Sequence, residues 1–286
     1  CCPVVPFLDE ILAGINYEFE ALSQYNVFSD IRVMPPMNAD ECPEQISQYL
    51  LEFIDKSYAG IILFFSGSHH KSMDALQAVE KAQIPMVCLI NDIPMKNRKA
   101  FITADGYCAG RIAAELLSIS CANQRIAILT GDSSIHIHKQ NLSGFMDEAG
   151  RDLFAVTNIY EHQDRPERVE QQLIEIFRHE PAYQGLYITS ASSIIACPLL
   201  MEINKDKRVK VIATDLFPQI KAPLDEGVVT ATIFQNPFLQ GRKAVDSIYR
   251  FLRNEPRGDT IKIAPQIVMR SNIGLYHINE QSKAEP

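Results

Sequence analysis

Short, almost entirely apolar runs alternate with longer amphipathic segments along most of this sequence. The runs at 60–65 (GIILFF) and 86–90 (MVCLI) have the composition of parallel strands that are covered on both faces. Between them, apolar residues recur at three- and four-residue spacing from 72 to 82, which predicts a helix. A chain with this alternation is expected to form a mostly parallel sheet with helices on both faces.

The alternation breaks once, within 91–117 (NDIPMKNRKAFITADGYCAGRIAAELL). A predicted strand at 101–104 follows the strand at 86–90 with no helix between them. Such a break predicts a crossover from one sheet to another. Ligands in open α/β folds bind outside the carboxyl ends of strands, near such points. Asn91 and Asp92 are therefore expected at the mouth of a cleft between two lobes.

Beyond the break, the strand and helix pattern begins again. Strands are predicted at 125–130, 155–160, 185–189, 209–214 and 229–234, with helices between them and a last helix at 237–253. A further strand is expected at 27–34, an extended segment at 261–270 and a short strand at 273–276. The opening residues CCPVV resemble the tail of a first strand whose start is missing. The length of 286 residues fits two α/β halves of similar size.

Composition excludes several classes of function. A formal net charge of -8 argues against this chain gripping nucleic acid by its phosphates, because that requires a concentrated basic surface. The odd number of cysteines, 7, with no CxxC pair, favours reduced thiols in a cytoplasmic protein. There is no apolar run of about 20 residues and no visible signal peptide, so we expect no membrane span.

Motifs for catalysis or cofactor binding are not evident either. The sequence has no Gly-rich phosphate loop, GxSxG elbow or HExxH helix. The histidine pairs His69-His70 and His136/His138 have no Cys or carboxylate at metal-ligand spacing. Carboxylates such as Asp92, Asp105 and Asp215 could converge as in glycoside hydrolysis, but hydrogen bonding to a sugar explains them without catalysis. The sequence therefore predicts a binding protein without metal or cofactor rather than an enzyme.

Three stretches together carry a resemblance to a known family: IPMVCLINDIPMKNRKAFITADGYCAGRIAAELL, RIAILTGDSSIHIHKQNLSGF and VKVIATDLFPQIKAPLDEGVVTATIFQNPFLQGRKAVDSI. The chain resembles the ligand-binding core of lac-repressor-like (LacI family) transcription regulators, which has the type I periplasmic-binding-protein fold. The resemblance implies two similar doubly wound parallel-sheet lobes joined by three crossing strands. The N-lobe would be 1–93 plus 236–262, and the C-lobe 94–235 plus 263–286.

The same resemblance implies a function. Relatives bind a sugar or a similar small polar effector in the cleft, and its binding switches the DNA contacts of a helix-turn-helix headpiece. That headpiece is absent from this chain, so operator DNA would be a partner only through it. A homodimer through the N-lobe is also implied. The alternative is a solute-binding protein that delivers a sugar to an ABC-type transporter.

Ligand-binding positions can be transferred one by one. Asp92, Asp215 and Gln235 each end a predicted strand and match ligand-contacting positions of relatives. The alternatives are that Asn91 and Asp92 cap a turn before Pro94, that Asp215 caps the next helix, and that Gln235 satisfies buried backbone groups.

The remaining candidates depart further from the family pattern. Ser190 and Ser192 stand where relatives often have asparagine, and Ser192 equally fits a helix N-cap. Asn141 replaces an arginine that clamps the ligand in many relatives, which weakens an inference of a carboxylate-bearing ligand. His138 fits a ligand donor or a surface residue. The resemblance also places Phe7 against the apolar face of a sugar and Ser66 as a hydroxyl from the N-lobe.

Overall fold

The computed structural model describes residues 5–34, 42–64, 72–121, 124–133, 135–151, 155–163, 165–255 and 258–276. The chain is an α/β protein that divides into two compact units. Unit 1 comprises Cys1–Ala104 and Pro237–Ile263, and unit 2 comprises Asp105–Asn236 and Ala264–Pro286.

Helices and strands alternate along the described residues. The helices are α1 (Val5–Leu22), α2 (Cys42–Asp55), α3 (Met73–Lys81), α4 (Gly106–Cys121), α5 (His136–Ala149), α6 (Pro166–Arg178), α7 (Ser193–Ile203), α8 (Lys221–Asp225) and α9 (Pro237–Leu252). The strands are β1 (Ile61–Phe64), β2 (Met86–Leu89), β3 (Arg98–Ala104), β4 (Arg125–Thr130), β5 (Ala155–Glu161), β6 (Gly185–Ile188), β7 (Lys210–Thr214), β8 (Ala231–Phe234), β9 (Thr260–Ile263) and β10 (Gln266–Val268).

Unit 1 is built on a parallel sheet with the strand order β1-β2-β3-β9 in its described part. On one face, α2 and α3 pack Leu50 and Leu76 against Met86 and Cys88 of β2. Helices α1 and α9 contact each other, and α9 also packs on the sheet. The central strand β2 is buried along its whole length, as its continuous apolar sequence predicts.

Unit 2 is built on a sheet with the strand order β10-β8-β7-β6-β4-β5, in which only the described pair β10–β8 is antiparallel. Alternate residues of β4 serve two separate cores. Ile126 and Ile128 pack with helices α4 and α5, whereas Ala127 and Leu129 pack with the cluster of α6 and α7. A sheet covered on both faces requires this continuous apolar sequence, because successive side chains point to opposite faces.

The structure corrects the boundary between the two halves. Unit 1 extends to Ala104, whereas the resemblance placed the boundary after Ile93. Strand β3 pairs in parallel with β2, so both belong to one sheet. They are joined by a connection without a helix, 90–97, which is why the interruption looked like a change of sheet. The other two boundaries lie within one residue of the predicted positions.

Other predicted elements differ as well. Residues 27–34 belong to no helix and form no strand ladder with described residues, and 273–275 form a 3-10 turn instead of a strand. The predicted extended segment at 261–270 is two strands in different sheets: β9 pairs with β3 in unit 1 and β10 with β8 in unit 2. None of the described helices is both long and apolar enough to span a bilayer.

Candidate functional site

Polar side chains lie at the carboxyl ends of five neighbouring strands in unit 2. We call this set the unit 2 rim, and its members are Thr130 at the end of β4, His162 after β5, Ser190 after β6, Asp215 after β7 and Gln235 after β8. All five are buried, between 0% and 8% exposed. The carboxyl edge of a parallel sheet is where open α/β folds bind ligands, so the rim is the candidate site.

Asp215 is the most constrained residue of the rim. Its Oδ1 accepts a hydrogen bond from the backbone N–H of Gln235 at 3.0 Å, and its Oδ2 accepts one from Gln235 Nε2 at 2.7 Å. Its backbone has a φ of 66°, a left-handed conformation that aspartate tolerates better than most residues. Because each carboxylate oxygen has two lone pairs, both oxygens retain one acceptor position.

Burial changes the acidity of this carboxyl. Desolvation raises the pKa of Asp215 from 3.8 to about 7, although the two hydrogen bonds from Gln235 lower it in part. The group therefore changes charge near neutral pH. A ligand hydroxyl would find a carboxylate there above this pH and a carboxylic acid below it.

This shift predicts how stability depends on pH. Between about pH 4 and 7 the folded protein holds the Asp215 proton that the unfolded chain has released, so stability falls as pH rises and levels off above about 7. Asp215→Asn removes the titration. We expect the free energy of unfolding of this variant, relative to the native chain, to increase by up to about 4 kcal/mol over that range. Urea unfolding of both proteins at several pH values measures this increase. If the unfolding free energies of the two proteins changed in parallel with pH, that result would contradict the raised pKa of Asp215.

A second polar cluster joins the serines to a histidine. Ser190 Oγ lies 2.6 Å from Ser192 Oγ and 3.2 Å from His162 Nε2. Ser192 occupies the N-cap position of α7, but its side chain makes no capping hydrogen bond. Thr189 Oγ1 donates to Thr130 Oγ1 at 2.7 Å and ties the ends of β6 and β4 together.

His162 was missed from the sequence. The available signal was its position directly after the strand β5, the same position that singled out Asp215 and Gln235. It is only 1% exposed, so its ring is part of the buried network and not of the surface. The strand was predicted at 155–160, where the next polar residue is Glu161, so only the extension of β5 to Glu161 places His162 directly after the strand.

The two candidates on α5 lie in different surroundings. Asn141 is 2% exposed, and both ends of its amide are engaged: Nδ2 donates to Ile137 O at 3.0 Å, and Oδ1 accepts from Tyr187 Oη at 3.2 Å. Tyr187 in turn stacks on Phe145, with ring centroids 5.1 Å apart. His138 is half-buried on the same helix. The structure thus gives Asn141 a role in holding α5 against β6, and its contact with a ligand stays a prediction.

The candidates of unit 1 are a separate group. Asn91 and Asp92 follow β2 and are half-buried, and Asp92 Oδ1 lies 3.2 Å from Arg98 Nε. Ile90, just before them, has a φ of 70°, which is a true outlier for a β-branched residue. Phe7 is 7% exposed on α1, within the apolar core. Ser66 lies outside the described residues.

The described residues contain no group of three His, Cys, Asp or Glu side chains placed to hold a metal ion. The rim offers instead one ionisable carboxyl, an amide and several hydroxyls. Groups of these types can accept and donate hydrogen bonds.

Comparison with known proteins agrees with this architecture. The sequence model of the family described as "Periplasmic binding protein domain" matches residues 6–256. The chain belongs to this family.

Solved structures show the same fold. A periplasmic solute binding protein from Actinobacillus succinogenes 130z with bound D-allose is 18% identical, with a TM-score of 0.80 over 95% of this chain and 96% of that one. A solute binding protein from Burkholderia graminis C4D1M in complex with D-arabinose is also 18% identical, with a TM-score of 0.83 over 96% and 94%. At this identity the likeness concerns the fold alone.

One curated relative is a regulator. The HTH-type transcriptional regulator DegA of Bacillus subtilis (strain 168) is 30% identical over 116 residues, which are 40% of this chain. The match spans about a third, 34%, of the length of DegA.

Proposed function

We propose that this chain is the effector-binding core of a LacI-type transcription regulator and that its effector is a sugar or a sugar-like polyol. The observation that carries the ligand class is the Asp215 carboxyl, which Gln235 holds in one orientation by two hydrogen bonds. One acceptor position remains on each oxygen, so an ionised Asp215 can hold two adjacent hydroxyls. Hydrogen bonds to an ionised acceptor are roughly twice as strong as neutral ones.

The comparisons support this ligand class. Proteins of the same fold have been solved with D-allose and D-arabinose, whose hydroxyls suit a carboxylate and an amide. The chemistry required of this chain is binding, without a catalytic step.

The match to DegA and the free, buried cysteines support the proposal that the chain is part of a transcription regulator. Cys88 and Cys197 are free and buried, and burial raises the pKa of both thiols, so they are packing residues and not reactive groups. Free buried thiols favour a reducing compartment, which is the cytoplasm. In this proposal the chain forms a homodimer through unit 1, and an attached headpiece contacts operator DNA. Ligand binding shifts the population between two arrangements of the core.

The second candidate is a solute-binding protein that delivers a sugar to an ABC-type transporter. It is favoured by the solved structures, which include solute binding proteins of ABC transporters. Both candidates use the same ligand class and the same rim. They differ in what is attached to the chain.

A thermal-shift screen against monosaccharides, sugar alcohols, sugar acids and nucleobases tests the ligand class. A ligand at 100 times its Kd adds about 2.7 kcal/mol of stability, which is several degrees in Tm for units of this size. We expect a neutral sugar or polyol to give the largest shift. A response to nucleobases alone would overturn the proposed ligand class.

The coding sequence upstream of Cys1 separates the two candidates. A helix-turn-helix pattern there is expected for the regulator. A secretory or lipoprotein signal there would instead identify the transporter component.

A further inference from the structure

The first residue after the strand β2 of unit 1 has a strained backbone. Ile90 has a φ of 70°, and the N–H of Asn91 donates to Leu89 O at 2.8 Å, so Ile90 lies at the centre of a γ-turn. A γ-turn with a positive φ is rare, and a branched Cβ makes it less favourable still. Glycine would adopt the same backbone without a steric cost. Strained residues of this kind cluster at binding and catalytic sites, so Ile90 is a candidate site residue.

Ile90 holds the same position in unit 1 as Asp215 holds in unit 2. In unit 1, the N–H of Ile90 donates to Ile102 O on the neighbouring strand β3 at 2.9 Å. In unit 2, the N–H of Asp215 donates to Ile233 O on the neighbouring strand β8, also at 2.9 Å. Both residues directly follow a strand, and their φ angles are 70° and 66°. The two positions are therefore equivalent within their sheets.

The partner of Asp215 has an equivalent in unit 1 as well. Gln235, which holds Asp215 by two hydrogen bonds, lies two residues beyond the acceptor oxygen on β8. Ala104 lies two residues beyond the acceptor oxygen on β3. Ile90 and Ala104 are buried, 9% and 2% exposed. Unit 1 thus has two apolar side chains at the positions where unit 2 has a carboxyl and an amide.

The nearest carboxylate in the sequence is not the counterpart of Asp215. Asp92 lies two residues beyond Ile90, and its Oδ1 is 3.2 Å from Arg98 Nε, so its charge is compensated within unit 1. The Asp92 side chain is 32% exposed, whereas Asp215 is 1% exposed. An exposed, ion-paired carboxylate gains less from a ligand hydroxyl than a buried one, because water and the cation compete for it.

We propose that Ile90 and Ala104 contact an apolar group of the effector, which is therefore a deoxy sugar or a polyol that bears a methyl or other alkyl group. Since it concerns the same effector, this assignment rests on the proposed function and narrows its ligand class. A hydroxyl placed against these two side chains would lose its hydrogen bonds to water, and neither side chain offers an acceptor. A methyl group in the same place would bury apolar surface.

Sugars that differ by one hydroxyl test this assignment. The probes are D-glucose, D-galactose, D-ribose and D-arabinose, each with its single-deoxy forms, and isothermal titration calorimetry with the full chain measures the Kd of each. We expect one deoxy form to bind about 10- to 100-fold more tightly than its parent sugar. If sugars bind but no deoxy form binds more tightly than its parent, the assignment is wrong and the proposed function stands. Binding of none of the probes would overturn the proposed function and the assignment with it.

A double substitution connects the preference to this position. Ile90→Asp combined with Ala104→Gln gives unit 1 the residues that unit 2 has in Asp215 and Gln235. We expect this variant to bind the parent sugar more tightly than the deoxy form. Leu51→Asp is the matched control, because it adds the same carboxylate to unit 1 at a residue of α2 that is 47% exposed. It is expected to keep the native preference for the deoxy form.

A single substitution covers the case in which the double variant does not fold. Ile90→Asn is polar but uncharged, and asparagine tolerates a positive φ better than isoleucine does. We expect Ile90→Asn to reduce the preference for the deoxy form at least about tenfold. Amide hydrogen exchange verifies that unit 1 of this variant is folded. A folded Ile90→Asn variant with the native preference would show that Ile90 does not contact the effector.

Discussion

An Asp215→Ala variant is expected to bind the sugar or polyol found by screening at least about 100-fold more weakly than the native chain. The substitution removes both acceptor oxygens that Gln235 orients. Two charge-assisted hydrogen bonds at about 1.5 kcal/mol or more each correspond to this loss in affinity. Isothermal titration calorimetry above about pH 7, where Asp215 is ionised, measures the change.

Asp225→Ala is the matched control, because Asp225 is an exposed aspartate of the same unit on α8. It is expected to bind the ligand as the native chain does. Hydrogen exchange must show that unit 2 of the Asp215→Ala variant remains folded. A folded Asp215→Ala variant with native affinity would exclude Asp215 from the site.

A Gly144→Ala variant is expected to lose about 3 kcal/mol of unfolding free energy, the upper part of the range for overpacking. Helices α4 and α5 pass so closely that a Cβ at Gly144 would lie 2.0 Å from the backbone oxygen of Tyr107. Gly110 stands in the same relation to Asn141 O, also at 2.0 Å. Backbone atoms cannot move aside as a side chain can, so the helices must separate and the core between them must open.

Gly274→Ala is the control, because a Cβ there meets no atom within 4 Å. Urea unfolding of the three proteins measures the difference. We expect Gly274→Ala to change stability by no more than about 0.5 kcal/mol. A Gly144→Ala variant as stable as the native chain would mean that α4 and α5 are not packed this closely in solution.

In unit 1, helices α1 and α9 also pass close to each other at glycines. A Cβ at Gly14 of α1 would lie 2.0 Å from Phe238 O, and one at Gly241 of α9 would lie 2.2 Å from Ile11 O. The sequence pattern placed all four glycines inside helices, but it did not indicate that a second helix passes close to them. Their role depends on a second helix that is distant in the chain.

The residues at the strand ends of unit 2 show which parts of the candidate site could be predicted from the sequence. Asp215 and Gln235 were predicted because each ends a predicted strand and matches a ligand-contacting position of relatives, and the structure joins them by two hydrogen bonds. Whether either contacts a ligand stays a prediction. His162 occupies the equivalent position after β5 and was overlooked, because a lone histidine in a polar stretch carries no periodic signal.

The sequence by itself determined the α/β class, most helices and strands, and three of the five residues of the unit 2 rim, Ser190, Asp215 and Gln235. These features follow from local periodicity and from the burial of both sheet faces, which the order of residues records directly. Only the tertiary structure decided that β3 joins the sheet of unit 1, that 27–33 pairs with no described strand, and that Asp215 is buried deeply enough to titrate near pH 7. Strand pairing, close helix contact and desolvation depend on segments far apart in the chain, so local sequence does not specify them.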